Sequence, residues 1–304
     1  MRKNIRGALA ALLLLGTTAA LIAAETETAD APQRFEIERS RVYTFASAQH
    51  SYDVFVRLPQ GYDKPENAQR KYPVVYLTDG PYTFEVAAGV TRVPIGHDTF
   101  EPIILVGLGY AQGEDPAVSR ERDLTPYPDA RNKPYPTGGA RAYLDFLKTQ
   151  VLPVIEKTYR IDANRRTLAG QSYGGLFGGW VLLTEPALFR NYILTSPSLW
   201  YNQRALLATE AAFAARHTDL DANVYFATGG FEHPAPCGRE RTECSDADMV
   251  ADQAALVKQL RSRQYSHLRV HARTVDGAYH TTTFPIGLLW ALQDLFLTHR
   301  IGAR

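Results

Sequence analysis

Within RTLAGQSYGGLFGGW, residues 166–180, a serine stands between glycines: Gly170, Ser172 and Gly174 form G-x-S-x-G between a short apolar run and a segment with helical spacing. A strand that turns at once into a helix needs small residues at the turn, and such a turn lifts the serine hydroxyl out of the sheet as a nucleophile elbow. A hydroxyl is a weak nucleophile at neutral pH. The chemistry therefore also needs a base to take its proton and an acid to hold that base.

Histidine's pKa suits the base. His280, in VDGAYHTTTFP, follows the predicted strand LRVHARTV and precedes the final helix, which is where the base falls in chain order. His271 lies inside that strand and reads as structural, while His267 and His233 read as solvated loop residues. The acid belongs between serine and histidine, on a loop after an earlier strand. Glu232, just past NVYFATGG, occupies that place and is the expected acid. Its rivals are Asp246 and Asp248, at a helix start where capping and the dipole alone favour acids, and Asp276, beside the histidine loop. Two N–H donors must meet the oxyanion. Tyr173 supplies one. The other comes from TDGPY, where Pro81 has no N–H, which leaves Gly80 or Tyr82; Tyr82 is the expected donor.

These groups require a scaffold. RVYTFAS and SYDVFVRLP alternate as half-buried strands do, whereas YPVVYLTDG and EPIILVGLGY are continuous apolar runs, as in strands covered on both faces. From Gly138 onward helix and strand alternate: helix ARAYLDFLKTQVLPVIEKTY, strand RTLAG, helix YGGLFGGWVLLT, strand NYILTSP, a helix around 205–215, strand NVYFATGG, helix DMVADQAALVKQLRSR, strand LRVHARTV and an amphipathic helix from Thr283. That alternation predicts an α/β fold, a mostly parallel central sheet with helices on both faces. The stretch from Tyr110 to Pro136, rich in Pro, Arg and Asp, is predicted to be irregular and to lie over the site.

The 304 residues, 45% hydrophobic, suit one large α/β domain. A formal charge of +1 with no long single-sign run argues against a nucleic-acid partner. MRKNIR followed by GALAALLLLGTTAALIAA reads as a secretory signal peptide, residues 1–24, with the α/β domain at 25–304. The apolar core is short for a span, so no stable membrane anchor is expected after cleavage, and the protein is expected to be periplasmic or secreted. In such a compartment Cys237 and Cys244, in PAPCGRERTECSDAD, are expected to pair. Two cysteines without convincing partners make a poor zinc site, and no metal is expected.

The run from TGGARAYLDF through SPSLWYN, with VYLTDG before it and GAYH after it, resembles the α/β-hydrolase esterase family related to esterase D and to the trilactone siderophore esterases. The resemblance implies carboxyl-ester hydrolysis through an acyl-enzyme, without a cofactor, with Ser172, His280 and Glu232 at the matching positions. RERDLTPYP resembles the family's Arg-x-x-Asp-x-Thr-Pro segment at Arg120 and Asp123. A small-molecule ester is thus the expected partner, a siderophore trilactone being a concrete one. Arg120 and Arg122 are expected to hold an anionic catecholate and Trp200 to stack on an aromatic ring, with ion pairing of the arginines to Asp123 or Glu121 and core packing of Trp200 as the alternatives. A general acyl or feruloyl esterase, an acyltransferase and a non-catalytic binding protein of the same fold remain as other readings.

Overall fold

The computed structural model describes residues 35–131, 135–234 and 246–298. One compact unit runs from Ile37 to Arg304; of the other, Met1–Glu36, only Phe35 and Glu36 are described. The expected leader at 1–24 and the Cys237–Cys244 pair lie outside the described residues.

Along the chain the elements are β1 (Ser40–Ala46), β2 (Ser51–Arg57), β3 (Tyr72–Leu77), α1 (Gly80–Gly96), β4 (Ile104–Ala111), α2 (Pro116–Leu124), α3 (Ala140–Phe146), α4 (Leu152–Thr158), β5 (Ile161–Gln171), α5 (Tyr173–Thr184), β6 (Asn191–Thr195), α6 (Tyr201–Ala214), β7 (Asn223–Gly229), α7 (Met249–Ser262), β8 (Arg269–Val275) and α8 (His280–Phe296). The strands form one sheet in the order β1-β2-β4-β3-β5-β6-β7-β8. β1, β2 and β4 pair antiparallel; every pair from β4 to β8 is parallel.

The continuous apolar runs are explained by two cores. In β3, Tyr72, Val74 and Tyr76 face a cluster that also holds Tyr143, Phe177 and Leu256, while Val75 and Leu77 face another with Phe84, Phe284 and Leu288. Successive side chains alternate across a strand, so a strand with helices on both faces must be apolar at every position. Each of the six residues of β3 is buried. Helix α5 is buried along almost its whole length, because it follows the central strand and is enclosed by its neighbours.

Three elements depart from the sequence reading. α1, which carries Pro81 in its first turn and Pro94 in its interior, gives no clean helical signal in the sequence. The stretch expected to be irregular contains α2, whose Asp115 side chain accepts the Ala117 N–H at the N-terminus. The single helix expected over 140–159 is divided by a π-helical turn at Leu147–Val151, where Pro153 supplies no N–H for the regular ladder.

Candidate active site

β5 ends at Gln171 and α5 starts at Tyr173, so Ser172 alone makes the turn. Its backbone, φ 59° and ψ −117°, lies where non-glycine residues are strained. The two flanking glycines are dictated by close approach: a Cβ on Gly170 would lie 2.5 Å from the Gly174 carbonyl carbon, and one on Gly174 would lie 2.1 Å from Thr78 Oγ1. Ser172 N–H donates to Thr195 O at 3.0 Å, and Ser198 N–H donates to Ser172 O at 3.0 Å. These bonds hold the strained turn in place from the β6 side. Ser198 Oγ stands 3.2 Å from Ser172 Oγ.

His280 is the first residue of α8, and its Nδ1 lies 2.6 Å from Glu232 Oε2. A carboxylate on Nδ1 fixes the proton there and leaves Nε2 as the basic nitrogen. Glu232 is itself held by Ser196 Oγ at 2.6 Å, Gly229 N–H at 2.7 Å and Thr283 Oγ1 at 3.1 Å, all on Oε1. Burial alone pushes its pKa up, but hydrogen bonds from His280, Ser196 and Gly229 together with the charge of His280 outweigh it and hold the carboxyl below its usual range. The rival acids are elsewhere: Asp248 caps α7 through the Ala251 N–H, and Asp246 and Asp276 are exposed. His271 stacks on Tyr225 from the edge strand β8, His267 pairs with Asp219, and His233 is exposed.

Ser172 and His280 open onto one cavity of about 370 Å³, shared with Asp79, Tyr82, Tyr110 and Arg120. The second oxyanion donor expected from sequence is corrected here. Tyr82 N–H donates to Asp79 O at 3.0 Å, closing the first turn of α1, so it is not available to a substrate oxygen. Among the described residues Gly80 N–H and Tyr173 N–H meet no backbone acceptor outside their own helices, as expected of donors in a first helical turn. Tyr82 faces the cavity with its side chain instead, its hydroxyl donating to Gln171 Oε1 at 3.1 Å; burial and the nearby Asp79 charge push its pKa up to about 12.

The two arginines separate. Arg120 reaches the cavity but is paired with Asp79, Nε to Oδ1 at 2.9 Å, and with neither Asp123 nor Glu121. Arg122 is corrected: its guanidinium donates to Glu114 at 2.6 Å and to both oxygens of Asp123 at 2.8 and 2.9 Å, in a separate cavity of about 550 Å³ lined by Tyr52 and Tyr143. Residues two apart on a helix point about 200° from one another, so both cannot serve one site. Trp200 is 38% exposed, its ring 6.1 Å from that of Tyr173, at the edge of the elbow and not in the core.

Sequence reasoning missed Asp79, Tyr110, Ser196 and Ser198. One signal existed for Asp79: it follows a wholly buried strand, and in open α/β sheets ligands bind beyond the carboxyl ends of the strands. Among the described residues there is no cluster of three potential metal ligands, and no helix is long and apolar enough to cross a membrane.

An eight-stranded, mostly parallel sheet with helices on both faces and a serine elbow beyond its central strand is an α/β-hydrolase fold. The family model "Putative esterase" matches residues 46–288, and the chain belongs to that esterase family. It is 31% identical to the ferri-bacillibactin esterase BesA of Bacillus subtilis over 206 residues, 63% of this chain and 70% of that one. It is 34% identical to the siderophore enterobactin esterase of Emericella nidulans over 174 residues, 53% of this chain and 57% of that one. Among solved structures, the BES protein from Bacillus cereus superposes with a TM-score of 0.72 at 26% identity, covering 87% of this chain and 97% of that one. Ester hydrolysis is the reaction class that the family and these relatives support.

Proposed function

We propose that the protein is an exported serine esterase that cleaves siderophore esters through an acyl-enzyme. The observation that carries the mechanism is a strained Ser172 opening onto the same cavity as a histidine whose Nδ1 is held by a buried carboxylate. Ser172 Oγ attacks the ester carbonyl carbon while His280 Nε2 takes its proton; the oxyanion is met by the N–H groups of Tyr173 and Gly80; and the leaving alkoxide departs with the proton from His280. Water repeats the sequence and releases the acid. The ionised Glu232 stabilises the imidazolium that forms in each half. The names of the relatives support the siderophore ester, and the basic and apolar leader supports export.

A fluorophosphonate probe on the full chain tests the mechanism: it labels the protein, and Ser172→Ala abolishes both labelling and hydrolysis. Persistent labelling of the variant removes the assignment. A panel of iron-loaded catecholate trilactones, feruloyl esters and p-nitrophenyl acetate tests the substrate. The trilactone is expected to exceed the acetate in kcat/KM by about two orders of magnitude, as a few kcal/mol of differential binding gives. Equal rates reduce the protein to a general serine esterase, and an ester product formed from an added acceptor alcohol makes it a transferase.

A further inference from the structure

The least expected feature of the cavity is a second buried carboxylate. Asp79 lies two residues beyond the end of β3, in the left-handed conformation (φ 55°, ψ 43°), and its side chain is only 4% exposed. Its carboxylate accepts from Tyr110 Oη at 2.9 Å and from Arg120 Nε at 2.9 Å and Nη2 at 3.4 Å. Its carbonyl accepts the N–H groups of Tyr82 and Thr83, both at 3.0 Å. The residue whose peptide carries the Gly80 N–H is thus held both by its side chain and by its carbonyl. Gly80 is packed closely on β4, where a Cβ would lie 2.9 Å from the backbone of Gly107 and Leu108.

The same carboxylate stands beside the elbow: Oδ2 lies 3.2 Å from the place a Cβ on Gly174 would occupy. An uncompensated negative charge there would oppose the oxyanion that the elbow is built to stabilise, and the opposition is strong where water is scarce. Arg120 cancels it. The guanidinium is three-quarters buried, lies against the Tyr173 ring at 5.2 Å and has its Nε committed to Asp79.

We propose that Asp79, Tyr110 and Arg120 form a charge-balanced strut that positions the Gly80 N–H for the oxyanion, and that Arg120 serves Asp79 and not the substrate. This rests on the Ser172 mechanism and deepens it. The strut acts on every ester, whatever its charge, because it acts on the oxyanion that all of them form. An anchor for an anionic substrate acts only on that substrate.

The experiment is a double-mutant cycle read with p-nitrophenyl acetate, a small neutral ester. Arg120→Ala is expected to lower kcat about 100-fold with KM little changed, because it leaves the Asp79 charge unpaired beside the oxyanion. Asp79→Asn, which keeps the left-handed preference and removes the charge, is expected to cost tenfold or less. The double variant is expected to recover about tenfold over Arg120→Ala alone. Affinity for an aryl boronic acid, whose serine adduct carries the tetrahedral negative charge, should fall in step with kcat/KM across the set. Should Arg120→Ala fail to fold, Tyr110→Phe replaces it, with about a threefold loss of kcat at unchanged KM and a parallel loss of boronate affinity. Sparing of acetate hydrolysis by Arg120→Ala, a double variant no better than the single, or boronate affinity unmoved in a slowed variant would each overturn the strut. Ser172→Ala run alongside separates the cases: if it still hydrolyses the acetate, the serine mechanism itself is at fault.

Discussion

Glu232 and Asp79 are both buried carboxylates with side chains 4% exposed, and both belong to the same site, yet they are compensated in different ways. Glu232 lies beyond β7 and is surrounded by neutral donors, Ser196, Thr283 and the Gly229 N–H, together with the titratable His280. Asp79 lies beyond β3, on the other side of β5, and is matched by a permanent cation. The first arrangement leaves a net negative charge facing the His280 ring. The second leaves almost none. Burial alone says nothing of a carboxylate's role; whether its compensating charge can come and go does.

The largest effect that sharpens this comparison is on Glu232. Glu232→Gln keeps the shape but removes the charge that steadies the imidazolium and offers an amide that can favour the wrong tautomer, so kcat should fall about 1,000-fold while the fold stays intact. Asp276→Asn should fall within a factor of about two of the parent, since Asp276 is exposed. Rates on p-nitrophenyl acetate check both, and a crippled Asp276 variant would move the acid role away from Glu232. Against Glu232→Gln, Asp79→Asn should be at least tenfold milder, because only one of the two carboxylates works by its charge.

How much of this was legible in the sequence follows the range of the interactions. Ser172, Tyr173, His280 and Glu232 could be read because the elbow is a local pattern and the chain order of base and acid is set by the order of strands. The parallel sheet could be read because continuous apolar runs report burial on both faces. The strut could not, since Asp79 and Arg120 are 41 residues apart and nothing local pairs them. Arg120 and Arg122 looked equivalent as a pair of charges; only the 3.6-residue period of a helix hidden in a proline-rich stretch sends them to different cavities. Tyr82 fails as a donor for a related reason, since the helix whose first turn it joins is hidden in the sequence by Pro81 and Pro94.

A smaller effect tests the Asp79 side together with the elbow it adjoins. Gly174→Ala puts a methyl 2.1 Å from Thr78 Oγ1 and 3.2 Å from Asp79 Oδ2, far from Glu232 in the sheet order. Overpacking of this kind costs about 1–3 kcal/mol, which should show as a fall in the thermal midpoint of a few degrees. Because the methyl pushes on the strut and not on the acid loop, the acyl-enzyme should form more slowly while the acid limb of the pH–rate profile stays where it was. A shifted limb would mean that the two carboxylates are coupled after all.

The smallest effect is in stability against pH, and it isolates Glu232. Its carboxyl is held below the usual value of 4.5 in the folded protein, so folding favours the ionised form. The resulting stabilisation is fully present above the unfolded-state pKa and is lost as pH falls through the lower, folded-state one. Glu232→Gln has no such group to protonate. Urea unfolding of parent and variant at pH 5, 4 and 3 should therefore give a stability difference that shifts against the parent below about 4.5, the ordinary glutamate range. A difference that stays constant down to pH 3, or shifts in the parent's favour on acidification, would mean that the donors around Glu232 do not outweigh its burial. The contrast with Asp79 would then rest on geometry alone.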